Sequence, residues 1–205
     1  MRPPELTAEH LANAAMEANL LSVSFSNRNP NGYMLETPTI NLVQGTATYA
    51  LPMRTLAIAI VYLTTSAGTP SAFDRPLGNI SNTDYAAISN KTTQGPPTSV
   101  WFNLLPTPTL TFWPAPDGSG PYVANVQSFR QNQDVNLGGG QTIDAPYRFL
   151  DAFAAGMAYR LSRMYKPELT QMRKQEWEEA WQETTMRDQQ DVNLYIVPGL
   201  SHYFL

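Results

Sequence analysis

The chain has 205 residues and a mass of 22.8 kDa, enough for one ordinary domain or two small ones with a core that needs no covalent staple. It has no Cys, and its two His, His10 and His202, lie at opposite ends, which excludes a disulfide framework, a Cys nucleophile, and thiolate or His-built metal centres. Thirteen basic residues stand against 17 acidic ones, and 42% of the chain is apolar, so a basic nucleic-acid face and a disordered chain are both excluded.

Thr7 is a candidate N-cap for a short amphipathic helix over 7–22, with Leu11, Ala14, Ala15, Ala18 and Leu21 on one face. Asn27 to Gly32, with Pro30 inside it, ends that helix. Residues 45–135 read as strands: Tyr49–Leu51, Leu56–Leu63, Val100–Leu104, Thr109–Trp113 and Tyr122–Phe129 are rich in β-branched and aromatic residues. Turn chemistry separates them at Pro106–Pro108 and Pro116–Gly120. One or two helical turns are expected over 82–88, capped by Asn82 or Thr83. Short, closely spaced strands predict a small antiparallel sandwich or barrel. Gly138-Gly139-Gly140 reads as a linker out of it.

The last third is helical and holds most of the charge. Asp144 or Ala145 is the expected cap of a helix with Pro146 in its first turn. Leu150, Phe153, Ala154, Met157, Leu161 and Met164 trace its apolar stripe. Ala154, Ala155, Gly156 and Ala158 keep its middle narrow, so another helix can approach closely. Pro167 divides it from a second helix over 168–188, which carries Leu169, Met172, Glu176 and Ala180 on one side and Trp177 and Trp181 beside them. The two make an αα-hairpin, and the first helix completes a three- or four-helix bundle with it. The expected fold is therefore α+β: a helical bundle carrying an inserted antiparallel β-sandwich or barrel-like domain, with an extended C-terminal tail. The division is 1–44 (first helix and linker), 45–140 (β insertion), 141–190 (helical hairpin) and 191–205 (tail). That tail is apolar and aromatic, and Pro198-Gly199 forbids a helix through it. It must fold back on its own bundle or dock on a partner.

No catalytic set emerges. Ser201 and His202 are sequence neighbours in the tail, a poor geometry for a nucleophile and its base. Gly-x-Ser-x-Gly is absent, and Gly138–Gly140 is followed by no phosphate-binding Lys. Glu178 and Glu179 lie among Lys174, Glu176, Glu183 and Arg187 as a solvated helix face, and Asp117 is a turn residue. The chain is expected not to be an enzyme, with no cofactor and no metal. Its longest apolar run, Leu56–Leu63, is far short of the ~20 residues of a membrane helix, and residues 1–20 read as no targeting segment. Synthesis in a cytoplasm and no membrane contact are expected. The aromatics Tyr62, Trp101, Phe102, Phe112, Trp113, Tyr122 and Phe129 fit a sandwich core better than a stacking platform, although Trp101 and Phe102 must face opposite ways. Trp177 and Trp181 fit either bundle core or an interface anchor.

Six segments in order resemble the head–tail adaptor family of short-tailed bacteriophages, also called tail tubular protein A or packaged-DNA stabilisation protein. They are Gly45–Pro52, Asp84–Ile88, Pro97–Phe102, Thr109–Gly118, Pro146–Leu161 and Asp191–Pro198, with a departure at Gly138–Gly140. The resemblance implies a structural virion protein at the head–tail junction, made in the host cytoplasm and assembled as a homo-oligomeric ring of about twelve copies. The ring would join the portal protein to the tail nozzle protein, with tail fibres as a further neighbour. Double-stranded DNA would pass through its lumen without specific binding. Leu194, Tyr195, Ile196, Val197 and Pro198, with Tyr203, Phe204 and Leu205, would dock on the portal or a neighbouring subunit. Trp177 and Trp181 would make inter-subunit helix contacts, and Trp101, Asp117 and Gly118 would face the nozzle or fibres. A net charge of −4 per copy agrees with a lumen wall that repels phosphates. The alternative is a virion-associated β domain that binds carbohydrate or a host receptor.

Overall fold

The computed structural model describes residues 7–28, 32–135 and 143–186. Helix α1 runs Ala8–Arg28. Thr7 caps it as expected: its Oγ1 accepts from the His10 amide at 3.3 Å, and its own amide donates to His10 Nδ1 at 3.2 Å. The helix continues past residue 22 through a Val-Ser-Phe-Ser run of modest helix propensity. Burial decides the matter, because Leu21 and Phe25 are one turn apart and both fully buried.

Among the described residues, nine strands follow as two layers. They are β1 (Leu35–Glu36), β2 (Thr39–Leu42), β3 (Thr48–Ala50), β4 (Thr55–Thr65), β5 (Phe73–Pro76), β6 (Gly78–Asn79), β7 (Ser99–Asn103), β8 (Thr109–Trp113) and β9 (Tyr122–Arg130). In the first sheet β9 is central: β4 pairs on one side, β1 and β2 on the other, and β5 lies outside β4. The second sheet has the order β3-β8-β7-β6, and every pairing in both sheets is antiparallel except β6 with β7. Strands β1 and β2 precede residue 45, the expected start of the strands.

Alternation sets the core between the sheets. Tyr122, Ala124, Val126 and Ser128 of β9 point inward, and Val61 and Leu63 of β4 meet them against Val100, Leu110 and Phe112 of the other sheet. A register shift between Ile58 and Ile60 moves the inward face of β4 onto Val61 and Leu63, which leaves Ile60 exposed. Between β6 and β7, helix α2 (Asn82–Ala87) is capped by Ser81, one residue before the expected cap. Ser81 and Asp84 form a reciprocal capping box, which Asn82 or Thr83 would lack.

Helices α3 (Leu150–Tyr165) and α4 (Thr170–Met186) form the expected hairpin across Lys166-Pro167. Two expectations for α3 are corrected. Asp144 caps nothing; it pairs with Arg130, and a 3-10 turn over Tyr147–Phe149 leads into the helix behind Pro146. The buried face is Ala152, Phe153, Gly156 and Ser162, so of the predicted stripe only Phe153 is buried, while Leu150 and Met164 are exposed. Aromatic packing causes the rotation. Phe25, Phe149, Phe153 and Trp181 form a ring cluster with centroids 4.6–6.3 Å apart. Gly156 sits at the point where α1 and α4 close on α3: a Cβ there would lie 2.9 Å from Leu21 and 2.8 Å from Trp177.

Replacing Gly156 by Val is expected to destabilise the fold by about 1–3 kcal/mol through overpacking against the buried Leu21 and Trp177 side chains. Urea unfolding followed by Trp fluorescence measures it; an unchanged midpoint contradicts the close approach.

Candidate interaction surfaces

The turn from β8 to β9 carries the chain between the sheets, and it is built around one carboxylate. Asp117 Oδ1 accepts from the Ser119 amide at 3.0 Å, the Ser119 hydroxyl at 2.6 Å and the Tyr122 hydroxyl at 2.9 Å. The Ser119 hydroxyl, then its amide, holds the Asp117 carboxyl below the usual carboxylate range, while burial pushes the Tyr122 hydroxyl up. Every acceptor position on that oxygen is used locally, so Asp117 holds the turn and leaves Gly118 exposed at its tip. Trp101 lies mid-strand on the other face of β7 from the core, as alternation requires, while Phe102 packs inward. Its ring is stacked on Tyr85 of α2 with centroids 5.0 Å apart. Lys91 lies 5.6 Å from the Tyr85 ring and donates to the Ala86 and Ile88 carbonyls, which closes the end of α2. Trp101 is thus half-buried, with its ring against Tyr85.

Sequence reading missed apolar side chains in the turns at the opposite end of the sandwich. Met53, Leu104 and Leu105 are 75%, 64% and 54% exposed. Their two turns are tied by the Leu51 amide, which donates to the Pro108 carbonyl at 2.8 Å. The signal was present as apolar residues beside Pro52 and Pro106, in positions where turns are usually polar.

In the bundle, Trp177 and Trp181, expected at inter-subunit helix contacts, pack within their own chain. Both are buried inside the chain's own helical core, at 4% and 7% exposure. Trp177 is stacked on Tyr159, and the Arg28 guanidinium lies 3.9 Å from its ring and 3.2 Å from Glu178. These rings are packing residues of the bundle core. The surface that is left is two-sided. The outer face of α4 is polar, with Gln171, Lys174, Gln175, Glu178, Glu179 and Gln182 around a shallow hollow. The outer face of α1 and α3 is apolar: Met16, Leu20, Leu150 and Met164 are all exposed. The docking residues Leu194, Tyr195, Ile196, Val197, Pro198, Tyr203, Phe204 and Leu205 lie outside the described residues.

A charged cluster ties sandwich to bundle. Arg130, the last residue of β9, grips Asp144 with both guanidinium nitrogens, one of them at 2.9 Å. Arg54 lies 3.8 Å from Asp144, Glu36 lies 4.0 Å from Arg130, and the Gln133 amide donates to Asp144 at 3.0 Å. The Arg130 bonds hold the Asp144 carboxyl below its ordinary range and push the guanidinium up. Beside this cluster, Ser26 accepts from the Asn132 amide at 3.0 Å, and Asn19 accepts from the Val135 amide at 2.6 Å.

Among the described residues no group of His, Asp and Glu side chains could hold a metal ion, and no helix is long and apolar enough to cross a membrane. Residues 4–199 match the family model described as SU10 adaptor protein. The chain belongs to the SU10 adaptor protein family. It is a phage adaptor, a structural virion component. No curated protein matches the chain.

For this SU10 adaptor, Asp144→Asn is expected to lower stability by about 1–2 kcal/mol near neutral pH, because Arg130 keeps a neutral acceptor in place of a charged one. The folded-state pKa of Asp144 is depressed, so its contribution is complete above the ordinary carboxylate range near 4 and is lost as pH falls through that range and below. The gap between wild type and variant should therefore close in acid. Denaturation midpoints across pH 2–7 check this; a gap independent of pH contradicts it.

Proposed function

We propose that this chain is the ring-forming subunit that joins a phage portal to the tail nozzle, in the manner of tail tubular protein A and the packaged-DNA stabilisation proteins. The family match over 4–199 carries the reading. About twelve copies would surround a channel through which double-stranded DNA passes unheld. The outer face of α4, where Lys174 is outnumbered by Glu178 and Glu179, suits such a channel wall, because it offers phosphates little to bind. The β insertion, 45–140, would present the Trp101 face and the Asp117-Gly118 tip toward the nozzle or fibres. The bundle segments 1–44 and 141–190 would form the body of the ring. Residues 191–205 would dock on the portal or a neighbouring subunit through Leu194, Tyr195, Ile196, Val197, Pro198, Tyr203, Phe204 and Leu205. The carbohydrate- or receptor-binding alternative has less support, since Phe112 and Tyr122 are buried between the sheets and Trp101 is half-buried against Tyr85.

Deleting 191–205 should leave a folded protein that fails to join portal-bearing capsids in co-sedimentation. Attachment at the wild-type level would refute the docking role. The full-length protein should bind duplex DNA weakly even at low salt; tight, salt-sensitive binding in a filter assay would refute the unheld passage.

A further inference from the structure

Helix α1 is apolar on two faces. Its inner face buries Ala18, Leu21 and Phe25. Its outer face shows Met16 and Leu20, 51% and 48% exposed, and from His10 to Asn27 the helix has one charged residue, Glu17, which is buried and paired with Arg160 at 3.0 Å. Arg160 also donates to the Leu20 carbonyl at 3.3 Å, and Asn13 donates to the Tyr165 hydroxyl at 2.9 Å. These bonds set α1 and α3 side by side. The displaced stripe of α3 (Leu150, Ala154, Leu161 and Met164) therefore continues the outer face of α1. Soluble monomers seldom expose a contiguous surface of this kind.

We propose that this face is the seat of the chain's own C-terminal segment, residues 191–205, in the unassembled subunit. The chemistry matches. The segment holds Val192, Leu194, Tyr195, Ile196, Val197, Leu200, Tyr203, Phe204 and Leu205, with Asp191 as its one carboxylate side chain, and the face it would cover is apolar apart from the Glu17–Arg160 pair at its seam. The reach is sufficient. Helix α4 ends at Met186, and the Thr184 hydroxyl contacts the Arg148 carbonyl at 3.4 Å, so the chain leaves beside the start of α3. From there, 191–205 spans up to ~50 Å when extended, against ~24 Å for the length of α3. Tethering favours the segment over a second copy, because a short linker gives it an effective concentration near millimolar. The polar outer face of α4 offers no comparable seat.

The consequence for assembly rests on the adaptor reading: portal binding would draw the segment away and expose the α1–α3 face where the next subunit arrives. The seat itself does not depend on that reading and is tested on free protein. A benzophenone side chain introduced at Leu161, followed by irradiation at low micromolar protein, should crosslink to peptides within 191–205 in a band of monomer mass. The absence of native Cys permits a second readout without background. Leu20→Cys should react with a maleimide at least several-fold faster in the chain ending at residue 190 than in the full chain. Crosslinks to another copy, crosslinks outside 191–205, or equal labelling rates would each overturn the proposal. Loss of portal attachment with an intact crosslink would instead count against the docking role alone.

Discussion

The bundle depends on the absence of one side chain. At Gly156 three helices come within van der Waals contact, with Leu21 from α1 and Trp177 from α4 occupying the space a Cβ would take. That approach and the aromatic packing around Phe153 together set the rotation of α3, and the rotation decides which residues are core and which are surface. Ala152, Phe153 and Ser162 follow Gly156 inward, and Leu150, Ala154, Leu161 and Met164 are carried outward. The aromatic cluster of Phe25, Phe149, Phe153 and Trp181 then fills the remaining volume with large, rigid groups.

Much of this arrangement was legible in the residues. Alternation along Tyr122–Phe129, the Pro and Gly turns, and the break at Lys166-Pro167 located the sandwich and the hairpin, because each rests on a local rule. The small residues around Gly156 correctly announced a close helix approach. Periodicity failed on α3 for a physical reason. The helix is apolar on more than one side, and the widest stripe in sequence is not the one that large aromatic partners select. The same reason hid the length of α1, where Phe25 extends a helix that its Ser and Val neighbours argue against. Strands β1 and β2 are short, and they are held by pairing with β9, far along the chain.

Interaction surfaces were less legible than fold. Trp177 and Trp181 have the composition of interface anchors, yet their own bundle consumes them. Trp101 faces outward as alternation demands, but Tyr85 arrives from a helix sixteen residues earlier and stacks on it. In both cases the residue type was informative and the covering partner was not. What a phage adaptor leaves uncovered is plainer in the structure: apolar turns at Met53, Leu104 and Leu105, and an apolar outer flank on two helices. A weakly charged, proline-rich chain in a family of adaptors has its solvent-facing surface shaped by neighbours as much as by water.

The order of elements also governs how the polypeptide is born. Among the described residues, the aromatic partners of Phe25 all lie from Phe149 to Trp181, so the first helix leaves the ribosome more than a hundred residues before the rings that cover it. The sandwich can close in the interval, since its strands are complete by Arg130. Translation thus delivers a finished β module trailing a greasy, unsheltered leading helix, and the nascent chain stays vulnerable to off-pathway clumping until its final helix emerges.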